Sequence, residues 1–399
     1  MQYKVLFKRC LLAIVVMFVV TSLQAQREMK TINDNWEFRK SIDESWESVN
    51  LPHTFNIDAY QQRNYYQGKG FYRRTLVLPE IVAERRYYMK IDAASKAANI
   101  RVNGKEVGSH VGGYTACIVD ITEYIRKENL IEITVDNGRK DITPISADFT
   151  FWGGIYRDVW LISTPKQHFN MSNMGSDGIF ISTPVVNEKR GVLKVKCEVT
   201  NDSHESSILE VRSAIYSPQG KLLQTIKQKQ KLKSGETYIF ENTSGAIESP
   251  DLWSPETPSL YLVKTTLVDP KSGKLLDEKN HKVGFRWFTF DGSKGFFLNG
   301  KSYKLRGLNR HQDQAPAGVA LDDEAHRRDI FLMKELGCNF IRISHFPQDD
   351  AILEMCDELG LLAWEEIPII NIVPNTPGYD DNCEYNLREM IRQHYSHSS

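Results

Sequence analysis

The sequence predicts a multidomain chain: two antiparallel β-sandwiches followed by an incomplete (β/α)8 barrel of about three βα units. Three observations predict this fold class. Short alternating segments with turn signals fill the first part of the chain, and a clean period-2 pattern continues through the second. After Gly284, strand patterns alternate with helical ones. A length of 399 residues also exceeds one ordinary domain.

Residues 1–25 are predicted to be a signal peptide outside the fold. Lys4, Lys8 and Arg9 form a basic region, Leu11–Val20 is apolar, and Ala25 offers a small residue at the cut. The apolar run is short for a bilayer span, so a retained membrane anchor is the less favoured alternative. We therefore expect a periplasmic or secreted protein that has no membrane contact after cleavage.

Residues 26–164 are predicted to form the first β-sandwich. Segments such as 71–78, 85–91 and 159–162 are bounded by turn signals, and no helical period is sustained. Asn103-Gly104 predicts a tight hairpin, because both central positions of the favoured turn need φ > 0.

Residues 165–284 are predicted to form an immunoglobulin-like β-sandwich. Apolar and polar residues alternate through 191–200, and the segments 208–216 and 261–268 look similar. The lysine-rich run Lys227–Lys233 is interpreted as a solvated strand face.

Residues 285–399 are predicted to be the N-terminal part of a barrel. A hairpin around Asn299-Gly300 leads into the first strand. The expected elements are a strand at 303–305, a helix at 323–336, a strand at 340–343, a helix at 349–359, a strand at 361–364 and a helix at 385–395. A closed barrel needs eight such units.

Charge and composition exclude some partners. The chain has 50 basic and 51 acidic residues, which gives no reason to expect nucleic acid or an anionic membrane as partner. Aromatic residues make up 11% of the chain, which suits sugar stacking but suits ordinary sandwich cores better. No pair of cysteines has metal-ligand spacing.

Candidate functional residues follow the predicted barrel strands, because barrel active sites lie at the C-terminal strand ends. They are Arg306, Asn309, Arg310 and His311 after the first strand, Arg342, Ser344 and His345 after the second, and Glu365 and Glu366 after the third. Arg306 and Arg342 are explained equally well by ion pairs within the barrel. Adjacent strand residues point to opposite faces, so only one of Glu365 and Glu366 can face the mouth.

Several motifs stand in a fixed order along the chain. They are 49–54 (Val-Asn-Leu-Pro-His-Thr), 68–73 (Gly-Lys-Gly-Phe-Tyr-Arg), 112–115 (Gly-Gly-Tyr-Thr), 154–159 (Gly-Ile-Tyr-Arg-Asp-Val), 303–311 (Tyr-Lys-Leu-Arg-Gly-Leu-Asn-Arg-His), 339–347 (Asn-Phe-Ile-Arg-Ile-Ser-His-Phe-Pro) and 356–361 (Cys-Asp-Glu-Leu-Gly-Leu). Together they resemble the N-terminal part of family 2 glycoside hydrolases, which include β-galactosidases, β-glucuronidases and β-mannosidases. The resemblance covers essentially the whole chain after the signal peptide.

The resemblance implies a jelly-roll sugar-binding sandwich, an immunoglobulin-like domain and a TIM barrel, and a carbohydrate as partner. It implies a retaining glycosidase that removes terminal β-linked sugars with two Glu residues ~5 Å apart. The family places one in an Asn-Glu pair after the fourth barrel strand and the other after the seventh. Neither position occurs in this sequence, so we expect no catalytic residue here and no activity from this chain alone. A non-catalytic carbohydrate-binding fragment is the alternative.

The resemblance also assigns a substrate shell. Asp148 matches a residue that reaches from the first domain to sugar hydroxyls, although a turn-capping role is nearly as well supported. His311 and His345 match subsite positions, and Arg306 and Asn309 complete the predicted shell. The Asn-Arg-His sequence at 309–311 favours a galactosidase; a glucuronidase or mannosidase is the alternative.

A metal is not expected. Glu366 matches a carboxylate that binds Mg²⁺ in some galactosidases, but Pro368 stands where that motif has a His ligand. We therefore expect no cofactor, with Mg²⁺ at Glu366 as the less favoured possibility.

Overall fold

The computed structural model describes residues 26–399, so the predicted signal peptide lies outside the described residues. Two β-sandwiches precede a short parallel sheet that is covered by helices. Within residues 26–399, no helix has the length and apolarity needed to cross a membrane.

The first sandwich contains twelve strands. They are β1 (Glu28–Thr31), β2 (Trp36–Arg39), β3 (Glu47–Val49), β4 (Lys69–Val77), β5 (Arg85–Ile91), β6 (Ala94–Ser95), β7 (Ala97–Val102), β8 (Lys105–Val111), β9 (Cys117–Asp120), β10 (Glu128–Asp136), β11 (Gly154–Ile155) and β12 (Val159–Pro165). One sheet has the order β1-β12-β5-β9, the second has the order β3-β2-β4-β10-β7-β8, and β11 pairs with β6. Alternate side chains, including Trp36, Met89 and Ile133, are buried in the core because successive strand residues point to opposite faces. Asn103 and Gly104 have φ of 51° and 77°, as the predicted hairpin between β7 and β8 requires.

The second sandwich contains nine strands. They are β13 (Gln167–Phe169), β14 (Ile179–Asn187), β15 (Arg190–Asn201), β16 (Ser207–Tyr216), β17 (Leu222–Leu232), β18 (Glu236–Thr243), β19 (Ile247–Glu248), β20 (Tyr261–Val268) and β21 (Leu275–Val283). Strand β15 pairs with β13, β14, β18 and β19, and the facing sheet has the order β17-β16-β20-β21. Leu193 and Val195 of one sheet share a core with Val211 and Ile215 of the other.

The last part of the chain begins with a hairpin and continues as three βα units. Its elements are β22 (Phe288–Asp291), β23 (Gly295–Leu298), β24 (Lys301–Ser302), β25 (Gly307–Arg310), α1 (Asp323–Glu335), β26 (Phe340–Ile343), α2 (Asp350–Leu359), β27 (Leu362–Trp364) and α3 (Tyr379–Gln393). Strands β25, β26 and β27 pair in parallel. Ile341 and Ile343 of β26 pack with Ile330 of α1 and Ile352 of α2, which is the arrangement of a barrel segment.

Two predicted elements are wrong in their limits. The helix expected at 385–395 begins at Tyr379, because Tyr379, Cys383 and Asn386 continue its buried face toward the N-terminus. The first barrel strand is β25 and not 303–305, because Asn339 fixes the register at Arg306. The Asn339 backbone N–H donates to the Arg306 carbonyl at 2.9 Å, and the Arg306 N–H donates to Asn339 Oδ1 at 2.7 Å.

Helix α3 connects the barrel part to both sandwiches. Glu389 accepts hydrogen bonds from His110 (3.0 Å) and from Thr115 (2.7 Å) of the first sandwich. Arg392 Nη2 donates to Glu198 Oε1 of the second sandwich at 2.7 Å. These contacts hold the first sandwich against the C-terminal side of the barrel segment.

Candidate functional site

The candidate site lies where a loop of the first sandwich meets the C-terminal ends of β25–β27. Asn309, Arg342 and Trp364 are in register across the three strands, so they lie on one face of the sheet. Arg310 lies on the opposite face, where its guanidinium donates to Asp329 of α1 at 2.8 Å. Successive strand residues point to opposite faces, so Arg310 packs toward α1. The other face, with Asn309, Arg342 and Trp364, leads to the C-terminal strand ends, which we call the mouth.

Glu366 is the centre of a polar cluster in this mouth. Arg342 Nη2 donates to Glu366 Oε1 at 2.7 Å, and His345 Nδ1 lies 2.9 Å from the same oxygen. Arg342 Nη2 also lies 3.1 Å from His345 Nδ1, so this nitrogen faces both a carboxylate and a guanidinium. These two contacts orient the His345 ring and leave its Nε2 without a hydrogen-bond partner among residues 26–399.

Phe149 brings the first sandwich into contact with this cluster. Its ring stacks on His345 with centroids 6.0 Å apart, and His311 lies 6.2 Å from Phe149 and 5.2 Å from His345. Beneath them, Tyr114 stacks on Phe346 at 4.2 Å. The aromatic contacts therefore join both domains at one surface.

The predicted shell is partly assembled. Asp148 is exposed and directly precedes Phe149, which places it at the domain junction, and no capping hydrogen bond of its side chain is present among the contacts of residues 26–399. His311 follows β25, and Asn309 lies exposed within β25 on the face of Arg342. Asp148, His311 and Asn309 thus lie on the same side of the barrel segment as His345 and Glu366.

The structure places Arg306 away from the mouth, contrary to the prediction. It precedes β25 and is exposed at the N-terminal end of that strand, whereas the mouth lies at the C-terminal end. The error follows directly from the misplaced first strand. Arg306 therefore has no place in a site at the C-terminal ends of the strands.

Glu365 and Glu366 point to different partners. Glu365 Oε2 lies 2.8 Å from Nδ1 of His394, which follows α3, whereas Glu366 joins Arg342 and His345. Burial lowers the pKa of His394, but Glu365 and Asp350 together outweigh it and raise this pKa to about 10. His394 is thus a charged partner that keeps Glu365 out of the mouth.

Sequence reasoning missed Phe149. An aromatic residue near a turn is typical of a sandwich core, and only the assembled structure brings Phe149 onto His345. The signal that could have found it is its position directly after the candidate Asp148.

Both carboxylate oxygens of Glu366 are engaged by Arg342. They already accept two hydrogen bonds from Arg342, at 2.7 and 3.4 Å, and a cation there would have to displace the guanidinium. Among residues 26–399, no group of three or more His, Cys, Asp or Glu side chains is gathered to hold a metal ion.

A sandwich loop meets the strand ends of a barrel segment here, with aromatic, imidazole and carboxylate groups at the junction, which indicates the class of multidomain proteins with a barrel-type site. Three family models match in order: glycosyl hydrolases family 2, sugar binding domain (residues 13–165), glycosyl hydrolases family 2 (177–286), and its TIM barrel domain (291–391). The chain belongs to glycoside hydrolase family 2, a family of glycosidases.

The similar proteins include beta-glucuronidases and beta-galactosidases. The chain is 34% identical to a beta-glucuronidase of Bacteroides fragilis (95% of this chain, 56% of the relative) and 33% identical to a beta-galactosidase of Thermoanaerobacter pseudethanolicus (92% and 48%). A solved calcium-binding mutant of Bacteroides uniformis beta-glucuronidase 2 is 58% identical, with a TM-score of 0.89 over 94% of this chain and 46% of that one. The chain thus spans about half the length of the relatives it matches.

Proposed function

We propose that this chain supplies the sugar-positioning part of an exported, retaining β-glycosidase that removes terminal sugars, with β-glucuronides preferred over β-galactosides. The observation that carries the proposal is the contact of Phe149, from the sandwich loop, with the His345–Glu366 pair at the strand ends. The preference for glucuronides rests on the solved relative at 58% identity, a beta-glucuronidase. It replaces the preference for galactosides that the Asn-Arg-His sequence suggests.

Different residues of the site bind different groups of the sugar. His345 Nε2 forms a hydrogen bond with a sugar hydroxyl, while Glu366 and Arg342 hold the ring through Nδ1. Exposed Asp148 accepts further hydroxyls, because a carboxylate makes charge-assisted hydrogen bonds. Phe149 and His311 offer ring faces to the C–H face of a pyranose.

Turnover needs more than these residues provide. A retaining mechanism uses two carboxyls across the scissile bond, one as nucleophile and one as acid/base. Among the described site residues, Glu366 is held by Arg342 and Glu365 by His394. We therefore propose that residues 1–399 bind sugar without hydrolysing it, and that the catalytic pair belongs to the remainder of a longer protein.

The binding proposal is tested on residues 26–399 by saturation-transfer NMR with glucuronic acid and galactose. We expect glucuronic acid to bind more tightly, and His345→Ala to weaken binding about tenfold, the equivalent of one hydrogen bond of ~1.4 kcal/mol. His204→Ala, at an exposed position far from the cluster in sequence, is the matched control. Equal binding by wild type and His345→Ala would refute the proposal.

Export rests on the basic and apolar pattern of residues 1–25. N-terminal sequencing of the protein from a periplasmic or culture fraction should begin at Gln26. Recovery of an intact Met1 terminus from the cytosol would contradict export.

A further inference from the structure

The loop that carries Asp148 and Phe149 is anchored at its base by one buried lysine. Lys96 lies between β6 and β7 of the first sandwich and is 2% exposed. Its Nζ donates to the carbonyl oxygens of Arg139 (2.8 Å) and Pro144 (2.6 Å), which precede the loop tip. The same ammonium lies 4.6 Å from the ring centroid of Phe151, which follows the tip. Lys96 therefore contacts both sides of the loop.

A second anchor joins the loop to the barrel segment. The Thr143 hydroxyl donates to the carbonyl oxygen of Pro368, which follows Glu366 by two positions in the chain. Thr143 is fully buried, so this bond is shielded from water. The loop tip is thus fixed from the sandwich side by Lys96 and from the barrel side by Thr143.

Burial of the Lys96 ammonium costs free energy, which indicates that the residue is retained for its contacts with the loop. A buried ammonium without a carboxylate in hydrogen-bond contact loses hydration, and the two carbonyls and the aromatic ring only partly replace it. Burial lowers the pKa of Lys96 to about 8, although Asp136 and Asp141 act against the shift. A methionine would fill the same space without this penalty.

We propose that Lys96 is a positioning residue for sugar binding: it holds the 139–151 loop so that Asp148 and Phe149 reach the His345–Glu366 pair. Lys96 acts through the two backbone carbonyls and touches none of the groups in the mouth. This inference rests on the proposed function, because it assigns the origin of the substrate contact that the sandwich makes.

Hydrogen exchange of residues 145–150 in the 26–399 chain tests the anchoring directly. Lys96→Met should raise the exchange rate of this segment about tenfold while exchange in the sandwich cores stays unchanged. Thr143→Val, an isosteric change at the second anchor, should act in the same direction and keeps the test valid if Lys96→Met does not fold. Lys140→Met removes an exposed charge from the same loop and should change nothing.

Kinetics of the complete protein test the consequence. For a p-nitrophenyl glycoside, Lys96→Met should raise KM about tenfold with kcat within twofold, because a binding contact is lost and the catalytic pair is untouched. A protein without glycosidase activity refutes the proposed function, while the exchange experiment still decides on the anchor. Unchanged exchange in a folded Lys96→Met protein overturns the positioning role of Lys96, and if that variant does not fold, unchanged exchange in Thr143→Val overturns the anchoring of the loop.

Discussion

Arg310 and His326 form a buried pair that fixes the outer face of the barrel strands. Arg310 Nη2 lies 3.0 Å from His326 Nδ1, so this nitrogen is the acceptor and the imidazole is neutral. Burial, followed by the charges of Arg310 and Arg157, lowers the pKa of His326 to about 2. The folded protein thus excludes a proton that the unfolded chain binds.

This pair predicts acid sensitivity. Between pH 6.5 and about 2 the unfolded state binds more protons at His326 than the folded state, so stability falls as pH is lowered through this window. The loss is about 1.4 kcal/mol per pH unit below 6.5. His326→Gln should flatten the dependence of unfolding free energy on pH between 6.5 and 5, measured by urea denaturation.

His204→Gln is the control for this prediction, because His204 is exposed. It should leave the pH dependence of the wild type unchanged. A His326→Gln protein with the full wild-type slope would show that the acid sensitivity originates elsewhere.

At the residue scale, the sequence alone predicts that His311, His345 and Glu366 lie close together, because polar side chains directly after parallel strands converge at one end of a barrel, and the structure brings the three together. Arg306 was wrong because β25 reads Gly-Leu-Asn-Arg, which lacks the apolar run that marks a buried strand. Phe149 could not be found because its partner His345 is far away in sequence.

Helix α3 is the element that couples the barrel segment to both sandwiches. Glu389, 1% exposed, accepts from His110 and Thr115, and Gln393 donates to the Ala116 carbonyl at 2.9 Å. Because these bonds are buried, loss of one charged acceptor leaves its donors unpaired. The helix thereby holds the first sandwich, and with it the Asp148 loop, at the mouth.

Glu389→Gln should therefore lower the free energy of unfolding by about 1–3 kcal/mol, because a charged acceptor shared by two donors is lost. Chemical denaturation of residues 26–399 measures the change. Glu384→Gln is the matched control on the same helix, since Glu384 pairs with Arg388 on the exposed side. That pair contributes about 0–1 kcal/mol, so equal losses in the two variants would disprove the coupling role of Glu389.

At the element scale, the type and order of the helices and strands could be predicted from the sequence, whereas their first and last residues were predicted less accurately. Helix α1 was expected at 323–336 and lies at Asp323–Glu335, because Asp322 caps its start and Gly337, with φ of 84°, follows its end. The early start of α3 was missed because its first turn, with Asp380 and Asp381, is polar. The contacts of α3 with both sandwiches depend on long-range packing, which no local pattern records.

Across the whole molecule, apolar surface is concentrated on the barrel segment. Leu336 and Phe331 of α1 are 75% and 50% exposed, and Trp364 at the end of β27 is 54% exposed. These exposed side chains lie on the segment whose three parallel strands do not close a barrel. The two sandwiches, by contrast, have closed cores.

We expect residues 285–399 alone to be poorly stable, as the βα pattern without a closed barrel predicts. The isolated segment loses the contacts of α3 and the bond from Trp253 Nε1 to the Asp357 carbonyl (2.8 Å). Limited proteolysis should digest it at least about tenfold faster than residues 26–284. Equal protection of the two pieces would contradict this expectation.

The most direct test of the account is turnover of p-nitrophenyl β-D-glucuronide and β-D-galactoside by the complete protein and by the 399-residue chain in parallel. The account predicts that the complete protein hydrolyses the glucuronide faster than the galactoside, and that the 399-residue chain hydrolyses neither. Turnover by the 399-residue chain would contradict the assignment of its site to positioning alone. A complete protein inactive on both substrates would instead favour a non-catalytic carbohydrate-binding role.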